Sequence, residues 1–197
     1  MTDEYESGDP YDVTWTAFHT RRLMETLDLV NSFAQSGDRI LDVGCGRGHI
    51  TDYIRSLNPD CQVLGLDRSR VAIRYAGEHY PSTEFICSAD MPVVLGEFDI
   101  VVMNNVIEHV TDPVTLMRSV PLRSGGHIIV STPSRFRFSN ILRLCRRRGL
   151  VKMSDNHVLE YTAGQVRELM EWAGYAVDSP ELWPTLRQTM FFTGERK

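Results

Sequence analysis

Three glycines stand within five residues at Gly44, Gly46 and Gly48, directly after the apolar run "RILDV", with Asp42 two residues before the first of them. Glycine at a strand's end allows close backbone approach that a Cβ would forbid, so a ligand can lie against the main chain there. Two ligand chemistries use such a turn. A dinucleotide wants G-x-G-x-x-G, with its pyrophosphate over a helix N-terminus. Counted from Gly44, the pattern keeps Gly46 but has His49 where the third glycine belongs, which disfavours a nicotinamide oxidoreductase. The actual run is D-V-G-C-G-R-G, and a carboxylate at Asp42 suits a cationic ammonium better than a pyrophosphate.

A second acid completes the chemistry. Asp67 ends "VLGLD", 23 residues after Gly44. A carboxylate at the tip of a second strand can accept from both hydroxyls of a ribose. Loop and acid together describe a nucleoside with a charged, phosphate-free tail, and S-adenosylmethionine is such a molecule. An ordinary strand-to-helix turn would explain the glycines but neither Asp42 nor Asp67.

These residues need a frame that brings strand ends together, and the chain carries one. Apolar positions at helical spacing (Leu23, Leu27, Val30, Phe33) mark a helix over residues 16–34, and then strands and helices alternate. "RILDV", "QVLGL", "TEFIC", "FDIVVM" and "HIIVST" read as strands; "HITDYIRSL", Arg70 to His79 and "DPVTLMRSV" read as helices, the last stopped by Pro121 and "SGG". A short turn is expected at residues 90–95. The strands are continuous apolar runs, as in a sheet covered on both faces. Thr162 and Gln165 form a capping box for a last helix that Gly174 closes, and "YAVDSPEL" and "QTMFFTGERK" supply two final strands. The expected fold is α/β: a doubly wound Rossmann-like sandwich, seven-stranded and mostly parallel, with an antiparallel last strand. Residues 1–197 read as one domain, with 1–12 a disordered tail and 135–160 a helical lid insert after the fifth strand.

"ILDVGCGRGHI", "VLGLDRS", "ICSADMP" and "FDIVVMNNVIEHV", in this order and spacing, resemble the class I S-adenosylmethionine-dependent methyltransferases. That resemblance implies a cofactor site from Asp42, Gly44, Cys45, Gly46, Gly48, Asp67 and Arg68. It implies adenine contacts from Ala89, Asp90 and Met91, where the alternative for Asp90 is a helix cap. The nearer look-alikes are the ubiquinone-pathway O-methyltransferases. Those carry a tryptophan-bearing segment with F-x-x-L-H and an arginine before the first strand; this chain has "WTAFHTRR", with Trp15, Phe18 and His19. The family's arginine meets the methionine carboxylate, which implies Arg22 or Arg21 here, bidentately if so. The alternative is two solvated arginines on a helix face.

After the fourth strand that group has M-E-x-x-E-H-V, where the methionine contacts cofactor; here the positions are Asn104 and Asn105, followed by Glu108 and His109. The group's two glutamates and histidine are associated with a divalent metal in some members. Asn105 replaces one carboxylate, so no tightly held metal is expected. Small-RNA 2′-O-methyltransferases share the E-x-x-E-H core plus a distant histidine, for which His157 is a candidate counterpart. Without a metal, His109 beside the methyl position is the candidate base, with Glu108 meeting the acceptor and His157 a second catalytic candidate. The alternative for His109 is a structural histidine paired with Glu108.

Bulk composition narrows the partners. The formal charge is −5, and residues 135–148 hold six arginines and no acid, so the remainder sums to −11. That is unlike a general nucleic-acid binder, whose basic charge spreads over a face. Phe138, Ile141, Leu142 and Cys145 place an apolar stripe among those arginines, which fits a substrate lid facing an apolar or lipid-like acceptor, with peripheral membrane contact. The four cysteines form no C-x-x-C pair. The N-terminus is acidic and polar, and no run reaches the ~18–20 apolar residues of a membrane span. The expectation is a cytoplasmic enzyme methylating a small-molecule acceptor at a hydroxyl. A metal-dependent RNA 2′-O-methyltransferase and a non-catalytic cofactor-binding relative are the alternatives.

Overall fold

The computed structural model describes residues 17–88, 96–134, 159–178 and 189–197, with the side chains of 17–19 outside the description. The tail 1–12, Trp15, the turn at 90–95 and the insert's residues 135–158 lie outside the described residues.

The chain opens with α1 (Ala17–Phe33) and then alternates: β1 (Arg39–Val43), α2 (His49–Leu57), β2 (Gln62–Asp67), α3 (Arg70–His79), β3 (Glu84–Cys87), β4 (Phe98–Asn104), a single 3₁₀ turn Ile107–His109, α4 (Pro113–Ser119) and β5 (Leu122–Pro133). After the insert come α5 (Ala163–Trp172), β6 (Tyr175–Val177) and β7 (Thr189–Arg196). The strands form one seven-stranded sheet in the order β3-β2-β1-β4-β5-β7-β6. β1 pairs in parallel with β2 and β4, β2 with β3, and β4 with β5. β7 runs antiparallel to both β5 and β6. The expected sheet is therefore present, with its reversed strand inserted between β5 and β6.

Helix ends follow local chemistry. The Ser69 hydroxyl accepts from the Ala72 amide to start α3, and the Asp112 carboxylate accepts from Thr115 to start α4, with Pro113 at the first helical position. Thr162 and Gln165 bond reciprocally at the start of α5, and Gly174, at φ 97°, ends the following turn.

Alternate strand residues feed two cores. Leu41, Val43, Val101, Met103, Ile128 and Val130 pack with Met117 of α4 and Val166 and Met170 of α5. Ile40, Ile100, Val102 and Ile129 pack on the other face with Leu23, Leu27 and Val30 of α1 and Ile54 of α2. Each such side chain contributes about 1.5–3 kcal/mol on burial. This two-sided covering is why the strands read as unbroken apolar runs.

One boundary differs from the expectation. β5 begins at Leu122 and not at His127, running through the "SGG" that reads as a helix stop. Its register against β4 jumps from Phe98↔Leu122 to Ile100↔His127, so the extra residues bulge outward. A Cβ on Gly126 would stand 2.9 Å from the Asp99 carbonyl oxygen, so a glycine is needed where β5 rejoins its neighbour. Among the described residues no helix is long and apolar enough to cross a membrane.

Candidate functional site

The parallel order places the carboxyl ends of β1, β2, β4 and β5 along one edge, where the order of connection reverses between β1 and β4. Nearly every sequence-predicted residue with a described side chain lies on this edge.

The glycine loop leaves β1 at Gly44, which has φ 71°. A Cβ there would meet Val106 Cγ2 at 2.6 Å, so backbone and the β4 connection touch directly. The loop's amides are turned inward. Gly44 and Cys45 N–H donate to the Leu66 carbonyl at 2.7 and 3.1 Å, Gly46 N–H donates to Asp67 Oδ2 at 2.8 Å, and Gly48 N–H donates to the Cys45 carbonyl at 3.0 Å. A pyrophosphate site needs such amides facing the ligand, so this loop is a brace between β1 and β2 and not a phosphate cradle. His49, at the third-glycine position, starts α2 and contacts the Tyr80 hydroxyl through Nδ1.

Asp67 is nearly buried, and its other oxygen accepts from Ser69 N–H at 2.8 Å. Each carboxylate oxygen keeps a further lone pair for a ligand hydroxyl. Arg68 beside it is exposed. Asp42 is buried beneath the loop, where the Thr51 hydroxyl donates to its Oδ2 at 2.6 Å. Burial is the main cause that pushes its carboxyl up to about 7; Asp67 adds to the rise, while Thr51 and Arg22 oppose it.

The two arginines of α1 part ways. Arg21 points to solvent and pairs with Glu25 at 2.9 Å. Arg22 turns inward: its Nε is buried without a hydrogen-bond partner. Burial lowers its pKa, opposed by the charges of Glu108 and then Asp42. The structure thus separates two candidates that the sequence leaves open.

Glu108 is wholly buried on the 3₁₀ turn after β4. Its Oε2 accepts from the Thr132 hydroxyl at 3.1 Å, while Oε1 has no partner. Burial pushes its carboxyl up to about 7, against the smaller opposing effects of hydrogen bonding and Arg22. His109 is half-buried next to it, and its amide donates to the Val106 carbonyl at 3.0 Å. Leu159 N–H returns to the Glu108 carbonyl at 3.3 Å, so the chain leaving the insert closes against this turn.

Asn105 adopts the left-handed conformation, φ 58°, and its amide donates to the Ser131 carbonyl at 3.0 Å. Asn104 directs its side chain at Thr26 and Ser131. Thr26, Thr51, Ser131 and Thr132 are the supporting residues that motif reading misses. Their signal is faint: "IIVST" ends an apolar strand in two hydroxyls. Ala89, Asp90, Met91 and His157 lie outside the described residues. Among the described residues no group of three His, Cys, Asp or Glu side chains could hold a metal ion.

Buried polar atoms are almost always paired. The exceptions among the described residues are Arg22 Nε, Glu108 Oε1 and Thr189 Oγ1. Thr189 pairs with Pro133 at the end of β5, so all three belong to the same end of the sheet. A basic and an acidic orphan, with a carboxylate at the strand tip for a diol, fit the zwitterionic end and the ribose of S-adenosylmethionine.

Residues 16–179 match the family described as "Methyltransferase domain". A probable S-adenosylmethionine-dependent methyltransferase of Mycolicibacterium smegmatis is 30% identical over 147 residues, 73% of this chain and 54% of that protein. A ubiquinone biosynthesis O-methyltransferase of Ralstonia nicotianae is 33% identical over 118 residues, 54% of this chain and 48% of that protein. The chain thus spans about half the length of these curated relatives. In fold it is similar to magnesium protoporphyrin IX methyltransferase from Synechocystis, solved with S-adenosylhomocysteine: TM-score 0.73, 14% identity, covering 94% of this chain and 90% of that one.

Proposed function

The chain belongs to the methyltransferase domain family, and from that premise we propose that it methylates a small-molecule acceptor at a hydroxyl with S-adenosylmethionine as donor. The observation that carries this reading is the pair of buried, unpartnered and oppositely charged atoms, Arg22 Nε and Glu108 Oε1, beside the glycine loop.

S-adenosylmethionine, when bound, supplies a methyl group already activated on a sulfonium. The protein's share is alignment, exclusion of water and the acceptor's proton. Arg22 holds the amino-acid carboxylate, Asp42 and Glu108 set a negative field for the ammonium, and Asp67 accepts from the ribose hydroxyls. Gly44, with no Cβ, lets the loop pack on Val106 and closes the floor of the site. His109 takes the proton from the acceptor hydroxyl at an imidazole nitrogen. Glu108 is fully buried, so its part is to tune Arg22 and the ammonium end, with His109 left to face the acceptor. The ubiquinone-type relatives support an oxygen acceptor of apolar character, and the arginine-rich residues 135–148 support contact with an anionic surface.

The test is calorimetric titration with S-adenosylhomocysteine, with and without EDTA and with NAD⁺ as control, followed by turnover of a panel of hydroxylated acceptors by wild type and His109→Ala. We expect micromolar, chelator-insensitive binding of S-adenosylhomocysteine alone, and turnover lost in His109→Ala with binding kept. Binding of NAD⁺ alone, or no binding, would overturn the cofactor site. Turnover unchanged in His109→Ala would overturn the base.

A further inference from the structure

A chain of buried hydroxyl and amide groups connects β5, β4 and α1 just below the site. The Ser131 hydroxyl donates to Asn104 Oδ1, Asn104 Nδ2 donates to the Thr26 hydroxyl at 2.8 Å, and Thr26 donates to the Arg22 carbonyl at 2.9 Å. Thr26 and Ser131 are buried, and Asn104 is half-buried between them. Every link has one direction, from sheet to helix, so each bond polarises the next.

The chain ends on the backbone carbonyl of Arg22, the residue whose side-chain Nε is buried and unpartnered. α1 is the element that carries Arg22. The hydrogen bond from Asn104 to Thr26 ties it by a side chain to the end of β4. Apolar contacts of Leu23, Leu27 and Val30 hold α1 on the sheet but allow sliding and rotation, since they are non-directional. A hydrogen bond to a fixed strand end removes that freedom.

We propose that Asn104 is a positioning residue: through Thr26 it sets the axial position of α1, and with it the reach of Arg22 toward the amino-acid end of the cofactor. The inference rests on the reading that Arg22 meets the cofactor's carboxylate. It differs from a direct contact: the Asn104 amide accepts from Ser131 and donates to Thr26, and the role assigned here runs through α1. The relay should therefore matter for ligands that have the amino-acid end and be indifferent to those that lack it.

Two ligands separate these cases. S-adenosylhomocysteine has the amino-acid end, and methylthioadenosine is the corresponding nucleoside thioether without it. Their affinities are measured by calorimetry for wild type, Thr26→Val, Thr26→Ser, Asn104→Leu and Arg22→Met, with thermal melts to establish that each variant is folded. We expect Thr26→Val and Asn104→Leu to bind S-adenosylhomocysteine about tenfold more weakly, with methylthioadenosine within about twofold of wild type. Thr26→Ser, which keeps the hydroxyl, restores wild-type affinity. Adding Thr26→Val to Arg22→Met causes no further loss. Wild-type affinity for S-adenosylhomocysteine in folded Thr26→Val and Asn104→Leu, beside a weakened Arg22→Met, would overturn the relay alone. Equal losses for both ligands would overturn it too, assigning these residues to general packing. Wild-type affinity in Arg22→Met would instead overturn the carboxylate reading beneath the inference.

Discussion

The Gly46 amide donates to Asp67 Oδ2 at 2.8 Å, joining the middle of the glycine loop to the acid that ends β2. One carboxylate fixes the loop through Gly46 and Ser69, and in the proposed function it has a second duty, offering its remaining lone pairs to a ribose. Asp67→Ala removes both. We expect affinity for S-adenosylhomocysteine to fall about a hundredfold, and apo stability to fall by about 1–3 kcal/mol for the two amides left unpaired. Calorimetry and urea unfolding read these separately, and a change in only one would split the two duties.

Gly44 is constrained twice, by its φ of 71° and by Val106 Cγ2 at 2.6 Å from a would-be Cβ. Gly44→Ala should destabilise the fold by about 2–4 kcal/mol. Pairing it with Val106→Ala relieves the clash but not the backbone strain, so chemical denaturation should recover about half of the loss. Full recovery would mean that the conformation carries no cost.

Asp42 and Glu108 are acids raised to about 7 by burial. Below about pH 4 both the folded and the unfolded chain hold these protons, so no difference arises. Between about 4 and 7 only the folded chain holds them, so rising pH favours unfolding; above 7 the penalty is constant. Asp42→Asn removes one of the two. Its apo stability relative to wild type should be near zero at pH 4 and grow to about 2–4 kcal/mol in the variant's favour at pH 8. A pH-independent difference in melts would show that Asp42 is ionised throughout. On the proposed function the same variant should bind S-adenosylmethionine more weakly above pH 7, because it loses the charge assigned to the ammonium.

The capping box on α5 joins Thr162 and Gln165 to each other in bonds that are exposed. Thr162→Ala should cost about 1 kcal/mol and lower Tm by about 2–4 °C, with affinity for S-adenosylhomocysteine unchanged. A drop in affinity would mean that the end of the insert, which returns to Glu108 through Leu159, is coupled to this helix.

Much of this molecule is legible in the sequence because its signals are local. "RILDV", "HITDYIRSL" and Arg70 to His79 are elements at the same residues in the structure, since an apolar run, a glycine break or a proline acts on its immediate neighbours. The loop and its partner acid are legible for the same reason: each sits at a strand end. Local signals mislead at "SGG", where a glycine pair that reads as a stop is a bulge, because only the neighbouring β4 backbone at Asp99 makes glycine necessary.

What tertiary structure alone decided is which side chain of a pair faces inward and what it meets. Arg21 and Arg22 are identical neighbours, and only the packing of α1 on the sheet sends one to Glu25 and the other into the site. Asn104 sits where a cofactor contact is expected, yet partners 78 and 27 residues away claim its amide. Glu108 keeps a buried, half-satisfied carboxylate because β5 delivers Thr132 beside it. Hydrogen bonds and burial between distant segments have no periodicity to read. They exist only once the sheet has brought the strand ends together.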